Sequence, residues 1–527
     1  MTIIPLVLFT AIAFSLQNKT WSPATVRISK AILYVLMGAT IVVLAANAIR
    51  YLSTPGYFEY GEENIASVAA YWLRGHPIYH SLANADRYSL LYGPLPTLIN
   101  ALFQKTGWDV FFASKLPGVL SLILTLILMG ALVRRNREWP LLKKMVILAT
   151  FAAILIDFYN ASFWDRPDAF ILPLTVLSLL LAETPSSQTS SSGALSFLLA
   201  AVFGIIGGCL ANCKINACVD VIPSFVFYLE RKNPRNKIGL IAVFCLMAAA
   251  TGFAFFLIPG VSLKNFLAIL FLATHELNFK LFRDNIIFLL PFAAIFILSG
   301  FQARYRGTFY ALAGTLSATV ILACKTGSGL YYFMPFLPLL FYFAAVGEET
   351  LVKKRTSQLR RFAVCCFLGM FWMVPQYEGR YLAFFNGRGK RAVADLRDLR
   401  KIEKKYPGPK SMGVTDKGVD YRNYDLFYLT PELVSRGGRM LVDMPSIMDF
   451  HLAHVKIPEA TYQALGSCEV REFVLPATGK PWTAGSIYHH QTALFTRKFR
   501  KLFAEHYKKI DTIGPFALYK CSKSGPD

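Results

Sequence analysis

Apolar residues dominate the first 375 positions of the chain and fall into long runs separated by short polar stretches. A membrane-spanning helix needs roughly 20 consecutive apolar residues, and most of the runs approach that length. The runs lie at 31–49, 112–133, 145–160, 168–182, 194–211, 217–229, 238–258, 285–300, 308–324, 330–346 and 362–375, with a shorter one at 3–16. The pattern predicts an α-helical polytopic membrane protein with about 11–13 transmembrane helices.

The composition supports a membrane protein. Hydrophobic residues make up 54% of the 527 residues, more than is usual for a soluble domain. The net charge of +23 would suggest nucleic acid as the partner of a soluble protein, but the Lys and Arg residues lie mainly between the apolar runs and near the C-terminus. We therefore predict that these basic residues face membrane lipid and that the protein does not bind nucleic acid.

The loops between the runs alternate in charge, which predicts the orientation of the chain. Basic residues concentrate in the loops at 134–144, 231–237, 304–306 and 353–361, and basic loops remain cytoplasmic. The long loop at 51–111 is poorer in basic residues and falls on the other side. The alternation predicts a multi-pass protein of the inner (cytoplasmic) membrane whose C-terminal segment is extracytoplasmic, on the periplasmic side.

The chain changes in character after residue 375, which predicts two domains. Residues 1–375 would form the transmembrane domain with its large first outer loop, and residues 376–527 a small α/β extracytoplasmic domain. Helices are predicted near 392–406 and 495–508, and strands at 439–442 and 516–519. Two cysteines of this segment could form a disulfide if the domain is extracytoplasmic, Cys468 and Cys521.

Polar motifs interrupt the apolar part of the chain at three places. The loop at 51–111 holds an acidic cluster at 57–64, a helix-length segment and a turn at 75–79. The other two are the segment Trp164–Asp168 and the pair Cys213–Lys214.

Taken in this order, the motifs resemble the membrane glycosyltransferases of the C superfamily (GT-C), which include protein O-mannosyltransferases and lipid A aminoarabinose transferases. The resemblance covers roughly residues 50–230. It implies a GT-C-like fold and the transfer of a sugar from a polyprenyl-phosphate-linked donor to a hydroxyl of a glycan, lipid or protein acceptor. The transfer would take place at the outer face of the membrane, by inverting displacement, without a cofactor.

The resemblance also implies a catalytic base in the first outer loop, where the family carries a carboxylate. Glu62 matches that place best, Glu63 is its neighbour, and Glu59 is a weaker candidate. A carboxylate there can accept the proton of the acceptor hydroxyl as the sugar is transferred.

Basic residues near the outer interface are predicted to bind the phosphate of the donor, because they can stabilise the charge that develops on the leaving group. These residues are Arg166, Lys214 and Lys325. Acidic and aromatic side chains, the latter able to pack against a pyranose ring, are predicted to bind substrate. They are Asp165, Asp168, Tyr60, Tyr79 and Tyr92.

Each assignment has a structural alternative. Glu62 and Glu63 could be the solvated start of an amphipathic helix, and the group at 165–168 could be a salt bridge and cap at a helix junction. Lys214 and Lys325 could be snorkelling side chains without a ligand.

The rival functions are a transporter or flippase of lipid-linked sugars and a noncatalytic membrane scaffold. A transporter should place ionisable groups near the middle of the membrane and show internal repeats, and the sequence shows neither clearly. No metal is predicted, because Pro77 separates His76 from His80 and argues against a shared helix face.

Overall fold

The computed structural model describes residues 22–139, 141–184, 193–272, 276–299, 301–353, 378–416, 419–420, 423–486 and 492–522. The predicted runs at 3–16 and 362–375, and the predicted domain boundary at residue 375, lie outside the described residues.

Helices account for most of the described residues. In chain order they are α1 (Pro23–Ser53), α2 (Tyr60–Leu73), α3 (Leu95–Gln104), α4 (Val110–Arg135), α5 (Leu141–Asp157), α6 (Tyr159–Ser162), α7 (Pro167–Ala182), α8 (Gly193–Cys213), α9 (Ile222–Lys232), α10 (Lys237–Ala254), α11 (Leu263–Leu270), α12 (Phe279–Ser299), α13 (Phe301–Arg304), α14 (Arg306–Ala323), α15 (Leu337–Lys353), α16 (Glu378–Lys405), α17 (Thr430–Ser435), α18 (Met444–Leu452), α19 (Glu459–Gly466) and α20 (Arg497–His506). Short 3₁₀ helices cover Ile215–Val219, Phe255–Leu257, Leu330–Phe336 and Asp425–Leu429.

The predicted apolar runs between residues 31 and 346 are helical in the structure. Within the described residues, three helices are long and apolar enough to cross a membrane, Val110–Arg135, Gly193–Cys213 and Lys237–Leu257. Others are apolar but shorter, including Pro167–Ala182 and Leu330–Val346. The membrane character of the chain is thus supported, while the count of about 11–13 spans stays a prediction.

The chain divides into two units, each built from several segments. The helical unit comprises Met1–Ile49, Gly118–Ala254 and His275–Leu382, and the mixed unit comprises Arg50–Pro117, Phe255–Thr274 and Ala383–Asp527. The mixed unit therefore contains the whole loop at 51–111 as well as most of the C-terminal segment. The predicted separation of domains at residue 375 stays a prediction.

Helices α8 and α10 of the helical unit approach each other closely because glycines line the contact. A Cβ atom on Gly204 would lie 2.5 Å from the carbonyl oxygen of Phe244, and one on Gly208 would lie 2.7 Å from the carbonyl oxygen of Ala248. Small residues spaced by four allow two membrane helices to pack with their backbones in near contact. This packing fixes the end of α8, where Lys214 follows directly.

The mixed unit contains a four-stranded sheet with the strand order β1-β4-β6-β5. Its strands are β1 (Lys410–Met412), β4 (Glu472–Pro476), β5 (Tyr507–Ile513) and β6 (Phe516–Cys521), and a separate pair is formed by β2 (Val419–Asp420) and β3 (Asn423–Tyr424). Strand β1 is parallel to β4, and β6 is antiparallel to both of its neighbours. The buried Trp482 ring packs against Phe473 and Phe503, each 5.5 Å away between centroids, and so joins the sheet to α20.

The expected small mixed domain is confirmed in its composition of helices and sheet, with one strand wrongly predicted. The segment 516–519 lies in β6, but 439–442 is not a strand. It runs beside Arg87 instead, where the Arg87 backbone N–H donates to the Leu441 carbonyl at 3.1 Å. Within the described residues the pairing is an isolated bridge between Arg87 and Val442, because the partner segment is a loop and not a strand.

Cys468 and Cys521 form a disulfide in the mixed unit. The bridge joins Cys468, two residues after the end of α19, to the last residue of β6, across a sequence separation of 53 residues. It closes a loop that contains β4, α20 and β5.

Replacing both bridged cysteines with alanine is expected to lower the free energy of unfolding of the mixed unit by about 2–4 kcal/mol, since the open loop gains entropy in the unfolded state. The measurement is thermal unfolding of the full chain in detergent. Reductant should lower the midpoint of the parent and leave the double variant unchanged. Cys245→Ala, at an exposed cysteine of the helical unit, is the control. Equal midpoints for parent and double variant without reductant would contradict the bridge.

Candidate active site

The first group of predicted site residues surrounds the start of α7 in the helical unit. Pro167 is the first residue of this helix, where its fixed φ and missing N–H are tolerated best. Arg166 precedes the helix in extended conformation, and Asp168 lies in its first turn. A carboxylate in the first turn is stabilised by the helix dipole, so the Arg-Pro-Asp sequence by itself positions Asp168.

Asp168 bridges two cations in the interior of this unit. Its Oδ1 atom accepts a hydrogen bond from Lys214 Nζ at 2.7 Å, and its Oδ2 atom lies 3.4 Å from Arg166 Nε. The three side chains are 3–7% exposed. Burial makes each of these three charges costly unless it is paired, so Asp168 and its two cations stabilise one another.

Two tyrosine rings complete this cluster. The Arg166 guanidinium carbon lies 4.9 Å from the centroid of Tyr331, and Lys214 Nζ lies 4.6 Å from the centroid of Tyr332. Aromatic faces attract cations at such distances. The sequence analysis did not select these tyrosines, because a Tyr-Tyr pair at the end of an apolar run is also typical of a membrane interface.

The other predicted residues of this unit are placed differently. Asp165 is fully buried beside Arg166 in the chain. Lys325 is half-buried, and its backbone forms an isolated bridge with Leu277. The Lys325 side chain makes no hydrogen bond, ion pair or ring contact within the described part of the chain. Its role in binding the donor phosphate stays a prediction.

The second group lies at the start of α2 in the mixed unit. Glu62 is completely buried, and its Oε2 atom accepts hydrogen bonds from the backbone N–H groups of Phe58 at 3.0 Å and Glu59 at 3.1 Å. The Tyr51 hydroxyl donates to its Oε1 atom. A Glu at the third position of a helix that bonds the preceding backbone is half of a capping box. Glu62 is thus not a solvated residue.

A buried lysine that the sequence analysis missed faces Glu62. Lys115 Nζ donates to the carbonyl oxygens of Tyr51 at 3.1 Å and Thr54 at 2.6 Å. Burial raises the pKa of Glu62 from 4.5 to about 7, although the Lys115 charge and the Tyr51 hydrogen bond both act to lower it. The signal for Lys115 was present in the sequence as a single cation inside the apolar run at 112–133.

Glu63 has a different environment from its neighbour. Its Oε1 atom accepts a hydrogen bond from Ser67 Oγ at 3.1 Å, and its Oε2 atom has no protein partner within the described residues. Burial and the nearby Asp443 carboxylate raise the pKa of Glu63 well above its usual value. Asp443, which accepts from Asn64 Nδ2 at 2.8 Å, also has a pKa raised by burial, to about 6. Glu63 is therefore harder to ionise than an exposed carboxyl group.

The three predicted tyrosines differ in their accessibility. Tyr60 is the first residue of α2, and its side chain lies outside the described part of the structure. The Tyr79 ring is fully buried 5.0 Å from Phe266 between centroids, and its hydroxyl donates to the Tyr92 carbonyl at 2.6 Å. Tyr92 is half-buried. A sugar could therefore contact Tyr92 but not the Tyr79 ring in this conformation.

The two histidines of the first outer loop are engaged in packing. The His76 ring stacks on Tyr71 at 3.6 Å between centroids, and both ring nitrogens of His80 lie against the carbonyls of Ser81 and Tyr88. In the described ranges, no three His, Cys, Asp or Glu side chains come together in a way that could hold a metal ion.

Comparison with solved structures identifies the fold. The chain is similar to ArnT from Cupriavidus metallidurans in the apo state, with a TM-score of 0.52 and 13% identity over 94% of this chain and 99% of that one. ArnT bound to undecaprenyl phosphate matches with the same TM-score and identity over 92% and 99%. The Archaeoglobus fulgidus oligosaccharyltransferase matches with a TM-score of 0.40 and 11% identity over 84% and 69%. No protein-family model and no curated protein matches the sequence. The likeness to ArnT shows that the chain has an ArnT-like fold, as expected from the sequence.

The ion pair of Asp168 and Lys214 can be tested by a double-mutant cycle. Lys214→Met should lower the free energy of unfolding by about 3–5 kcal/mol, because it leaves the buried Asp168 carboxylate without its hydrogen-bonded cation. Adding Asp168→Asn should recover part of this loss, since a neutral amide needs no cation. The measurement is thermal unfolding of the full chain in detergent. Lys237→Met, at an exposed lysine of the same unit, serves as control. Additive losses would argue against the pair.

Proposed function

We propose that this chain is a membrane glycosyltransferase that moves a sugar from a polyprenyl-phosphate-linked donor to a hydroxyl acceptor. The observation that carries the proposal is the pair of buried cations, Arg166 and Lys214, held around one carboxylate in an apolar unit. ArnT, whose fold the chain shares, has been solved with undecaprenyl phosphate bound. A phosphorylated polyprenyl lipid would bring to this unit the anion that such cations bind.

The donor phosphate would bind by competing with Asp168 for its two cations. Arg166 Nε lies 3.4 Å from Asp168 Oδ2, so a phosphate bound here would share the guanidinium with this carboxylate. Lys214 is bonded more tightly, at 2.7 Å, and would share its charge between Asp168 and the phosphate. In a site of low dielectric constant, both cations would stabilise the negative charge of the departing phosphate.

The acceptor hydroxyl would lose its proton to Glu62. Its raised pKa of about 7 suits a base that must be ionised at neutral pH and still accept a proton. The Tyr51 hydroxyl occupies Glu62 Oε1, so an acceptor hydroxyl would have to replace it, which makes Tyr51 a positioning residue. Glu63, whose pKa burial and the Asp443 carboxylate raise further, would take no part in proton abstraction.

The transfer itself would be a single displacement. The acceptor oxygen forms a bond to the anomeric carbon while the bond from that carbon to the phosphate oxygen breaks, the proton passes to Glu62, and polyprenyl phosphate leaves. Inversion at the anomeric carbon follows from a single attack on the face opposite the phosphate. That the transfer takes place at the outer face of the membrane is part of the proposal. The acceptor would be a glycan, a lipid or a protein.

Glu62→Gln is expected to lower the transfer rate by about 100-fold or more, since the amide cannot accept the proton. The measurement is transfer from labelled polyprenyl-phosphate sugars by the full chain reconstituted in vesicles. Glu63→Gln is the matched control, because the same substitution at an equally buried neighbour that is not the proposed base should change the rate by no more than a few fold.

Two outcomes would contradict this assignment. Transfer that survives Glu62→Gln undiminished would remove the proposed base, and transfer abolished only by Glu63→Gln would reverse the roles of the two residues. Movement of the labelled lipid across the bilayer without any transfer would favour a flippase.

The pH dependence follows from the same carboxyl group. Because Glu62 must be ionised to act as base, the transfer rate should rise with pH through about 7 and then level off.

The stability of the protein should change with pH in the opposite direction to the transfer rate. A pKa raised from 4.5 to about 7 on folding means that the free energy of unfolding falls as the pH rises between these values. Glu62→Gln should remove the contribution of this carboxyl group to the fall. The difference in thermal stability between pH 5 and pH 8 should therefore be smaller in the variant than in the parent.

A further inference from the structure

An open cleft lies in the mixed unit, between the loop at 77–84 and the segment at 260–265. Its volume is about 260 Å³. Polar side chains that carry no formal charge line much of it. They are His80, Ser81, Asn84, Ser262 and Asn265. Nothing in the proposed transfer reaction uses these residues.

The cleft is held in shape by hydrogen bonds between its two walls. The Ile78 backbone N–H donates to the Gly260 carbonyl at 2.8 Å, and Asn265 Nδ2 donates to the Tyr79 carbonyl at 3.1 Å. Gly260 has a φ of +80°, which suits glycine, and a Cβ atom there would lie 3.0 Å from Trp72 Nε1. A site with fixed walls loses little entropy when it binds a ligand.

The chemistry of the lining selects a neutral ligand. Among the described residues, no carboxylate, lysine or arginine lines the cleft, and burial lowers the pKa of His80 from its usual value of 6.5. An anion would therefore be desolvated without an opposite charge. Amides and hydroxyls, by contrast, offer both donors and acceptors, as the adjacent hydroxyls of a sugar require.

Asn84 shows how a ligand could be held. Its Oδ1 atom accepts a hydrogen bond from the Asp86 backbone N–H at 3.2 Å, which orients the amide. Its Nδ2 group has no partner within the described residues and is available to a ligand. Ser81 beside it is also exposed. The volume is below the roughly 300–1,000 Å³ of sites for drug-sized ligands, which suits a single sugar ring.

We infer that this cleft binds one neutral sugar unit of the acceptor, so that the acceptor is a glycan or a glycolipid. That the bound sugar belongs to the acceptor rests on the proposed function. That the cleft binds a neutral sugar does not. The sugar would dock on the cleft and present another hydroxyl, elsewhere on the same acceptor, for transfer.

The test is saturation-transfer NMR on the full chain in nanodiscs of neutral lipid, without any donor. The probes are the methyl glycosides of glucose, mannose, galactose and N-acetylglucosamine. Asn84→Trp, which fills the exposed rim of the cleft, should weaken the binding of at least one glycoside fivefold or more, and Ser81→Phe should do the same. Gln463→Trp is the matched control, since it places the same ring on an exposed amide position of α19 in the same unit.

Two results would overturn the inference: no glycoside binds the parent, or the cleft variants bind as tightly as Gln463→Trp. With a glycan acceptor in the transfer assay, Asn84→Trp should raise KM for the acceptor and leave kcat unchanged. Sugar binding that persists in a chain without transfer activity would defeat the proposed function alone, whereas transfer to a glycan without binding at the cleft would defeat only this inference.

Discussion

The need to compensate buried charge governs both groups of site residues. In each unit a carboxylate lies in the first turn of a helix, Asp168 in α7 and Glu62 in α2, and a buried lysine from another part of the chain faces it. The helix N-terminus stabilises the ionised acid, and the lysine supplies the opposite charge. Without these partners neither carboxylate could remain ionised in its apolar surroundings, and the proposed chemistry would have no charged groups to use.

The two lysines differ in a way that matters for function. Lys214 is hydrogen-bonded directly to Asp168, and Arg166 adds a second cation beside the same carboxylate. Lys115 instead donates hydrogen bonds to two backbone carbonyls, and its charge acts to lower the pKa of Glu62. Burial outweighs this attraction, so the pKa of Glu62 rises toward neutrality. Two cations around one carboxylate suit the stabilisation of an anion, whereas a carboxyl group with a pKa near neutral pH suits proton transfer.

Local sequence was sufficient to predict the helices and part of the site, but not the pairings. The Arg-Pro-Asp sequence already indicates a helix start with an acid in its first turn, whereas Lys214 comes 46 residues after Asp168, and only the packing of α7 against α8 brings them together. Glu62 and Glu63 could not be ranked by environment, because adjacent helical residues point in different directions. Asp443, which adds to the effect of burial on the pKa of Glu63, is hundreds of residues away in the chain. The wrongly predicted strand at 439–442 had the apolar pattern of a strand but lacked a strand to pair with.

The distribution of chemistry between the units is consistent with the two kinds of substrate that the proposed reaction needs. The cations that would bind a lipid phosphate belong to the helical unit, whose apolar helices suit a polyprenyl chain. The base and the uncharged cleft both belong to the mixed unit, where Glu62 lies in the first turn of α2 and the loop after this helix forms one wall of the cleft. A charged donor is thus matched by charge and a neutral acceptor by amides and hydroxyls. A phosphate bound in the uncharged cleft would lack a counter-charge, and a neutral sugar bound among the buried cations would lack suitable hydrogen-bonding partners. The chemistry of each ligand therefore favours the unit to which it is assigned.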